Sequence, residues 1–180
     1  MSAGMDSPFT NTVSPWAEMC SWETLWGLRE QTQKTIHELF RSFSGSRPSE
    51  VLKKAKSREL FDIADLEESV ASYLRDLGAA CSVCLQDTFH YPTRLREAKY
   101  PLELFYYRGD IGLLESPCVS VVGARKATLE GRARAARLAR ELVQAGFTIV
   151  SGLAEGIDTA AMEASIAAHG RTIGVIGTPI

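Results

Sequence analysis

A chain of 180 residues with 45% hydrophobic and 23% charged side chains has the apolar material for one globular domain or two small ones. Its formal net charge of −2 and pI near 6.0 exclude a globally basic nucleic-acid or membrane binder, so any basic site must be local. The longest apolar stretches, such as Cys118 to Ala124, fall far short of the roughly 20 residues of a membrane-spanning helix. The opening MSAGMDSPFTNTVSPW also lacks the basic and apolar regions of a secretory signal, so the chain reads as cytoplasmic with no membrane partner.

Residues 1–15, rich in Ser, Thr, Pro, Gly and Asn, read as a flexible tail. From Trp22 to Phe43 the residues Trp22, Leu25, Trp26, Ile36, Leu39, Phe40 and Phe43 recur at helical spacing, as one helix or two, before SGSRPS breaks the pattern. Pro48 to Lys56 and Asp65 to Leu77 continue it, the second with Gly78 placed as a C′ residue. Residues 16–80 are therefore expected to form a small helical N-terminal domain. Beyond it the sequence predicts a strand over Ala80 to Leu85, a helical turn over Thr93 to Ala98 and a second strand over Leu104 to Tyr107. A regular alternation follows: strand Val119 to Val122, helix Thr128 to Ala145, strand Thr148 to Val150, helix Ile157 to Ala168, strand Thr172 to Ile176. Such alternation marks βαβ units, so residues 81–180 are expected to be an α/β domain with a parallel sheet. Ile180 follows a strand without the helix that should come next, so the sheet reads as incomplete and the chain as truncated within this domain.

Parallel sheets bind ligands beyond the carboxyl ends of their strands. Three loops fit: Gly123 to Ala127, Ser151 to Gly156, and Gly177 to Ile180. The first lies in PCVSVVGARKATLEG, where Gly123 lacks the second glycine of G-x-G-x-x-G and Thr128 stands where a P-loop needs its second glycine. Between Val121 and Arg140 six basic residues (Arg125, Lys126, Arg132, Arg134, Arg137, Arg140) face one acid, Glu130, in a chain whose total charge is −2. The following helix can turn Leu129, Ala133, Ala136, Leu138, Ala139, Leu142 and Val143 toward the sheet, leaving Arg134, Arg137 and Arg140 on a solvated face. Arg125 and Lys126 differ because they precede the helix, where free amides add partial positive charge and a guanidinium can grip a phosphate bidentately. In Ser151-Gly-Leu-Ala-Glu-Gly-Ile-Asp158 the glycines permit close approach or left-handed backbone, Ser151 offers a hydroxyl to an anion, and Asp158 suits a helix cap. Glu155 and Asp158 oppose a dense negative charge there, and a purely structural turn is an equal alternative.

Catalysis finds little support. No G-x-S-x-G surrounds Ser120 or Ser151, no H-E-x-x-H occurs, and His169 beside Gly170 is placed to meet a helix C-terminus. Cys81 and Cys84 form a C-x-x-C that alternates like a strand, and His37, His90 and His169 are too scattered to complete a zinc set, so no metal and no cofactor are expected. Tyr100, Phe105, Tyr106 and Tyr107 offer stacking surfaces for bases, but alternate residues of a strand face opposite sides, which favours packing.

Taken together, YPTRL, YPLELFYYRGD, LLESPCVSVVGARKAT, TIVSGLAEGID and TIGVIGTPI, in this order and spacing, resemble the DprA/Smf family of DNA-processing proteins. The resemblance is strong from Cys81 to Ile180 and looser from Trp22 onward. It implies an extended Rossmann-like sheet with helices on both faces and a basic pocket that binds single-stranded DNA without base specificity. It further implies help in loading the RecA recombinase during transformation and recombination, a homodimer in the longer protein, and no turnover. In the family the Arg of V-V-G-x-R and the S-G pair of V-S-G contact phosphates; here these are Arg125, Ser151 and Gly152, with Gly123 in the same turn and Lys126 adjoining. Met162 stands where many members have a histidine, and the family's remaining pocket lysines and dimer surface lie largely beyond Ile180. Two other classes remain open: a nucleoside-monophosphate phosphoribohydrolase, whose P-G-G-x-G-T-x-x-E motif is absent, and an interaction module whose Arg-rich helix meets an acidic partner.

Overall fold

A computed structural model describes residues 13–28, 31–43, 47–57, 63–77, 81–88 and 90–177. The expected tail lies outside these residues up to position 12, as does Gly78 with its cap. Contacts divide the chain into two compact units: the first reaches Tyr107 without Pro92–Arg94, and the second takes that short segment and continues from Arg108.

In the first unit the long apolar pattern resolves into two helices, α1 (Pro15–Gly27) and α2 (Gln33–Ser42), followed by α3 (Pro48–Ser57) and α4 (Ala64–Leu77). Ser14 caps α1 just before a proline, whose fixed φ and missing N–H suit a first turn. Thr32 and Thr35 form a reciprocal capping box on α2, with bonds of 3.2 and 2.8 Å. The start of α3 is capped from another helix: buried Glu18 of α1 accepts from the Ser49 amide at 3.0 Å and its hydroxyl at 2.7 Å.

Strands β1 (Ser82–Leu85) and β2 (Leu104–Tyr107) pair antiparallel, with Leu85 opposite Leu104, and the short helical segment α5 (Thr93–Arg96) lies between them in sequence. Leu85 and Leu104 join Trp22, Leu25, Ile36 and Phe40 in one buried cluster. That is why the unit carrying the helices extends to Tyr107, whereas the sequence reading places a boundary at residue 80, where residue character changes but packing does not. The aromatic run is packed as its alternation demands. Tyr106 donates its hydroxyl to Glu23 at 2.7 Å, while Phe105 meets Tyr91 with ring centroids 5.9 Å apart.

The second unit is a parallel sheet in the order β3 (Cys118–Ser120), β4 (Thr148–Ser151), β5 (Thr172–Gly174). Cys118 lies opposite Thr148, and Ile149 opposite Thr172. The connecting helices α6 (Leu129–Gln144) and α7 (Ile157–Ala167) pack on each other, which puts them on one face of the sheet, as crossovers of one hand between successive neighbours require. Their shared core is Val121, Ala139, Ile149, Ala161, Met162 and Ala164. The opposite face carries Ser120, Val150 and Ile173 side by side in register.

The expected inward face of α6 is corrected at three positions. Leu129 is 86% exposed and Leu138 47% exposed, and Ala133 is also exposed, so they do not face the sheet. The inward stripe is instead Ala135, Ala136, Ala139, Leu142 and Val143, whose alanines let α6 approach Ala161 and Ala164 of α7 closely. Both helices end in the left-handed C′ arrangement. Gly146 (φ +85°) donates to Val143 at 2.9 Å and Phe147 to Leu142 at 3.0 Å; His169 (φ +54°) and Gly170 repeat the pair on Ile166 and Ser165. His169 thus serves the helix C-terminus. Among the described residues no helix is long and apolar enough to cross a membrane.

Candidate nucleic-acid interface

The loops after β3 and β4 are held together before any ligand is considered. Asp158, in the first turn of α7 and only 4% exposed, accepts the Gly123 amide on one carboxylate oxygen and the Gly152 amide on the other, each at 3.1 Å. One carboxylate therefore joins both loops to the start of α7. Burial alone would raise its pKa, but the surrounding donors, the Gly123 amide foremost, outweigh it and hold the carboxyl below its usual range. This corrects the expectation that Asp158 caps its own helix: α7 has no side-chain cap bond at Gly156, and the carboxylate reaches out to the loops.

Glycine is required where the loops meet. Gly156 has φ +89°, and a Cβ there would stand 2.3 Å from the Ala124 carbonyl oxygen and 2.4 Å from that of Arg125. A Cβ on Gly123 would come within 2.8 Å of Ile157. The other left-handed residue of the second loop is Leu153 (φ +57°), rather than Gly152, and its side chain lies over Gly174. A branched residue in that region is uncommon and strained.

Of the five residues singled out from sequence, three spend a polar group on an internal partner. Ser151 is 2% exposed and donates its hydroxyl to the Val121 carbonyl at 2.8 Å, tying the end of β4 to the end of β3. Gly123 and Gly152 give their amides to Asp158. The polar groups that the sequence offered to an anion are thus already satisfied by an internal carboxylate and a carbonyl. Arg125 and Lys126 are exposed and have no ion-pair partner among the described residues.

Directly after them Thr128 caps α6, accepting from the Gly131 amide at 3.0 Å, and the first amides of the helix point back toward the same turn without intrahelical acceptors. Farther along α6, Arg134 pairs with Glu130, and Arg137 with Glu141 at 3.2 Å. These two arginines are partly neutralised, as a solvated helix face would have it. Met162, at the position where the resemblance would place a histidine, is buried in the α6–α7 core and does not reach the loops. The bridging role of Asp158 and the left-handed backbone of Leu153 are what sequence reasoning missed. An aspartate in a first helical turn has the same sequence signature whether it caps or bridges, and a left-handed leucine has none.

Residues 82–180 match the family described as DNA recombination-mediator protein A. Protein Smf of Synechocystis sp. is 42% identical over 92 residues, covering 49% of this chain and 23% of that protein. DNA processing protein DprA of Streptococcus pneumoniae is 42% identical over 88 residues, covering 49% of this chain and 31% of that one. Its Bacillus subtilis counterpart is 41% identical over 87 residues, covering 48% and 29%. The X-ray structure of DprA from Streptococcus pneumoniae resembles this fold with a TM-score of 0.55 and 28% identity, over 91% of this chain and 53% of that chain. The chain therefore spans under a third of the length of these three relatives in the matched segment.

Proposed function

The chain belongs to the DNA recombination-mediator protein A family, and from that membership and the strand-end geometry we propose that it binds single-stranded DNA without base specificity, through Arg125 and Lys126. The observation that carries this reading is the pair of exposed, unpaired cations on a turn made rigid by Asp158. Arg125 offers a planar fork to a phosphate, Lys126 adds a point charge, and the first amides of α6 add partial positive charge. Gly123, Ser151 and Gly152 act by position: they hold the two loops so that the cations stand clear of the sheet. Arg125 and Lys126 address phosphates, so binding follows the backbone. The role is binding rather than turnover, and in its biological setting the protein acts as a homodimer that hands the bound strand to the RecA recombinase during transformation or recombination.

The test is a fluorescence-anisotropy titration with oligo-dT and oligo-dA across salt. Single-strand phosphate contacts each contribute about 0.7 to the slope of log affinity against log salt. Arg125→Ala is expected to weaken both oligonucleotides alike, roughly five- to twentyfold, and to lower that slope by about one contact. Unchanged affinity at low salt would remove Arg125 from the interface.

A further inference from the structure

The first unit contains a second feature with the makings of a site: a pocket of about 330 Å³ between α2, the start of α3 and the β1–β2 pair, lined by His37, Phe40, Arg41, Leu85, Asp87 and Glu103 among others. That size is at the lower end for small-molecule sites. Glu103 is 7% exposed; one carboxylate oxygen meets Nδ1 of His37 at 3.3 Å, and the other has no partner among the described residues. A buried carboxylate oxygen without a donor is unfavourable, and an N–H brought by a ligand would relieve it.

The rest of the pocket narrows what that ligand is. Phe40 and Leu85 supply apolar wall. Three arginines line it, and two are committed: Arg47 to Asp87, and Arg96 to the Thr88 carbonyl with its guanidinium 5.3 Å from the Tyr91 ring centroid. Arg41 is exposed and has no ion-pair partner among the described residues. A buried acceptor, an apolar wall and the Arg41 guanidinium, which has no ion-pair partner among the described residues, match a flat ring with an N–H edge joined to a phosphate. We propose that this pocket binds one nucleotide, the N–H edge of its base donating to Glu103 and its phosphate held by Arg41. A free mononucleotide and one nucleotide of a strand share this chemistry.

The experiment is an isothermal titration of the full chain carrying Arg125→Ala and Lys126→Ala together, so that neither cation of the strand-end turn contributes and a failure here leaves the proposed function standing. The probes are dCMP, cytidine, inorganic phosphate, alanine and a dC pentanucleotide. We expect dCMP to bind, Glu103→Gln to weaken it at least tenfold, and Arg41→Ala at least fivefold, with cytidine weaker than dCMP by a similar factor. Binding of the pentanucleotide with the same dependence on Glu103 identifies a nucleotide of a strand as the source; binding of dCMP alone identifies the free nucleotide. Either supports the site. No binding of dCMP, insensitivity to both substitutions, or equal binding of phosphate or alanine overturns it. If near-UV circular dichroism shows that Glu103→Gln disturbs the fold, the surface variant Arg41→Ala decides by itself.

Discussion

At Asp158 an internal carboxylate occupies the two loop amides that would otherwise be free to meet an external anion. It thereby fixes the backbone and leaves the attraction of phosphate to side chains. The same bonds make the turn sensitive to acid. The folded-state pKa lies below the ordinary aspartate value of about 3.9, so the carboxylate's contribution is complete above that value. It is lost as pH falls through the lower folded value. Asp158→Asn keeps one acceptor oxygen and removes the charge; it is expected to cost roughly 1–3 kcal/mol at pH 7 and to flatten the acid limb of the stability profile. Urea unfolding at a series of pH values between 3 and 7 reads both effects, and an unaltered acid limb would show that the bridge does not stabilise the fold. Part of this was legible: Arg125 and Lys126 could be placed at a strand end because a strand, a glycine and a capped helix follow one another in sequence. The destination of the Asp158 carboxylate was not legible, since one of its donors lies in another loop and is brought near only by the crossover.

The helices and strands show the same division between local and non-local information. Ends of elements follow local chemistry: α6 starts at its Thr128 cap and stops before Gly146, close to the predicted Thr128 to Ala145, whereas the caps Ser14 and Thr32 are not read from the sequence and Ser14 falls in the expected tail. Faces depend on neighbours. By type the leucines of α6 are the natural core residues, yet the close approach of α7 selects the alanine stripe and leaves Leu129 and Leu138 outside. The cap of α3 is another non-local choice, because its acceptor is Glu18 of α1 and no capping signature near Pro48 reveals it. Glu18→Ala leaves the Ser49 amide and hydroxyl without that acceptor and is expected to lower the stability of the helical unit by roughly 1–3 kcal/mol. Tryptophan fluorescence reports it directly, since Trp22 and Trp26 stand on the same helix. A midpoint in urea equal to that of the parent chain would mean that the Glu18 contact contributes nothing net.

Across the whole molecule the two kinds of evidence bear on different units. Charge and motif mark the second unit, where a net −2 chain concentrates its cations and where the family match from residue 82 largely falls. Packing defines the first, whose core is completed by Leu85 and Leu104 from a segment that sequence character assigns elsewhere. Among the described residues the two buried clusters share no member. Leu25, fully buried in the first cluster, is the sharpest probe: Leu25→Ala is expected to cost about 2–5 kcal/mol through lost burial and the cavity left behind. Native-state hydrogen exchange should then show protection falling in α1, α2 and α3 while the amides of α6 and α7, packed on Ile149, exchange as before. Equal loss of protection in both sets would mean that the chain unfolds as one cooperative block, and that the strand-end turn depends on the helical unit for its stability.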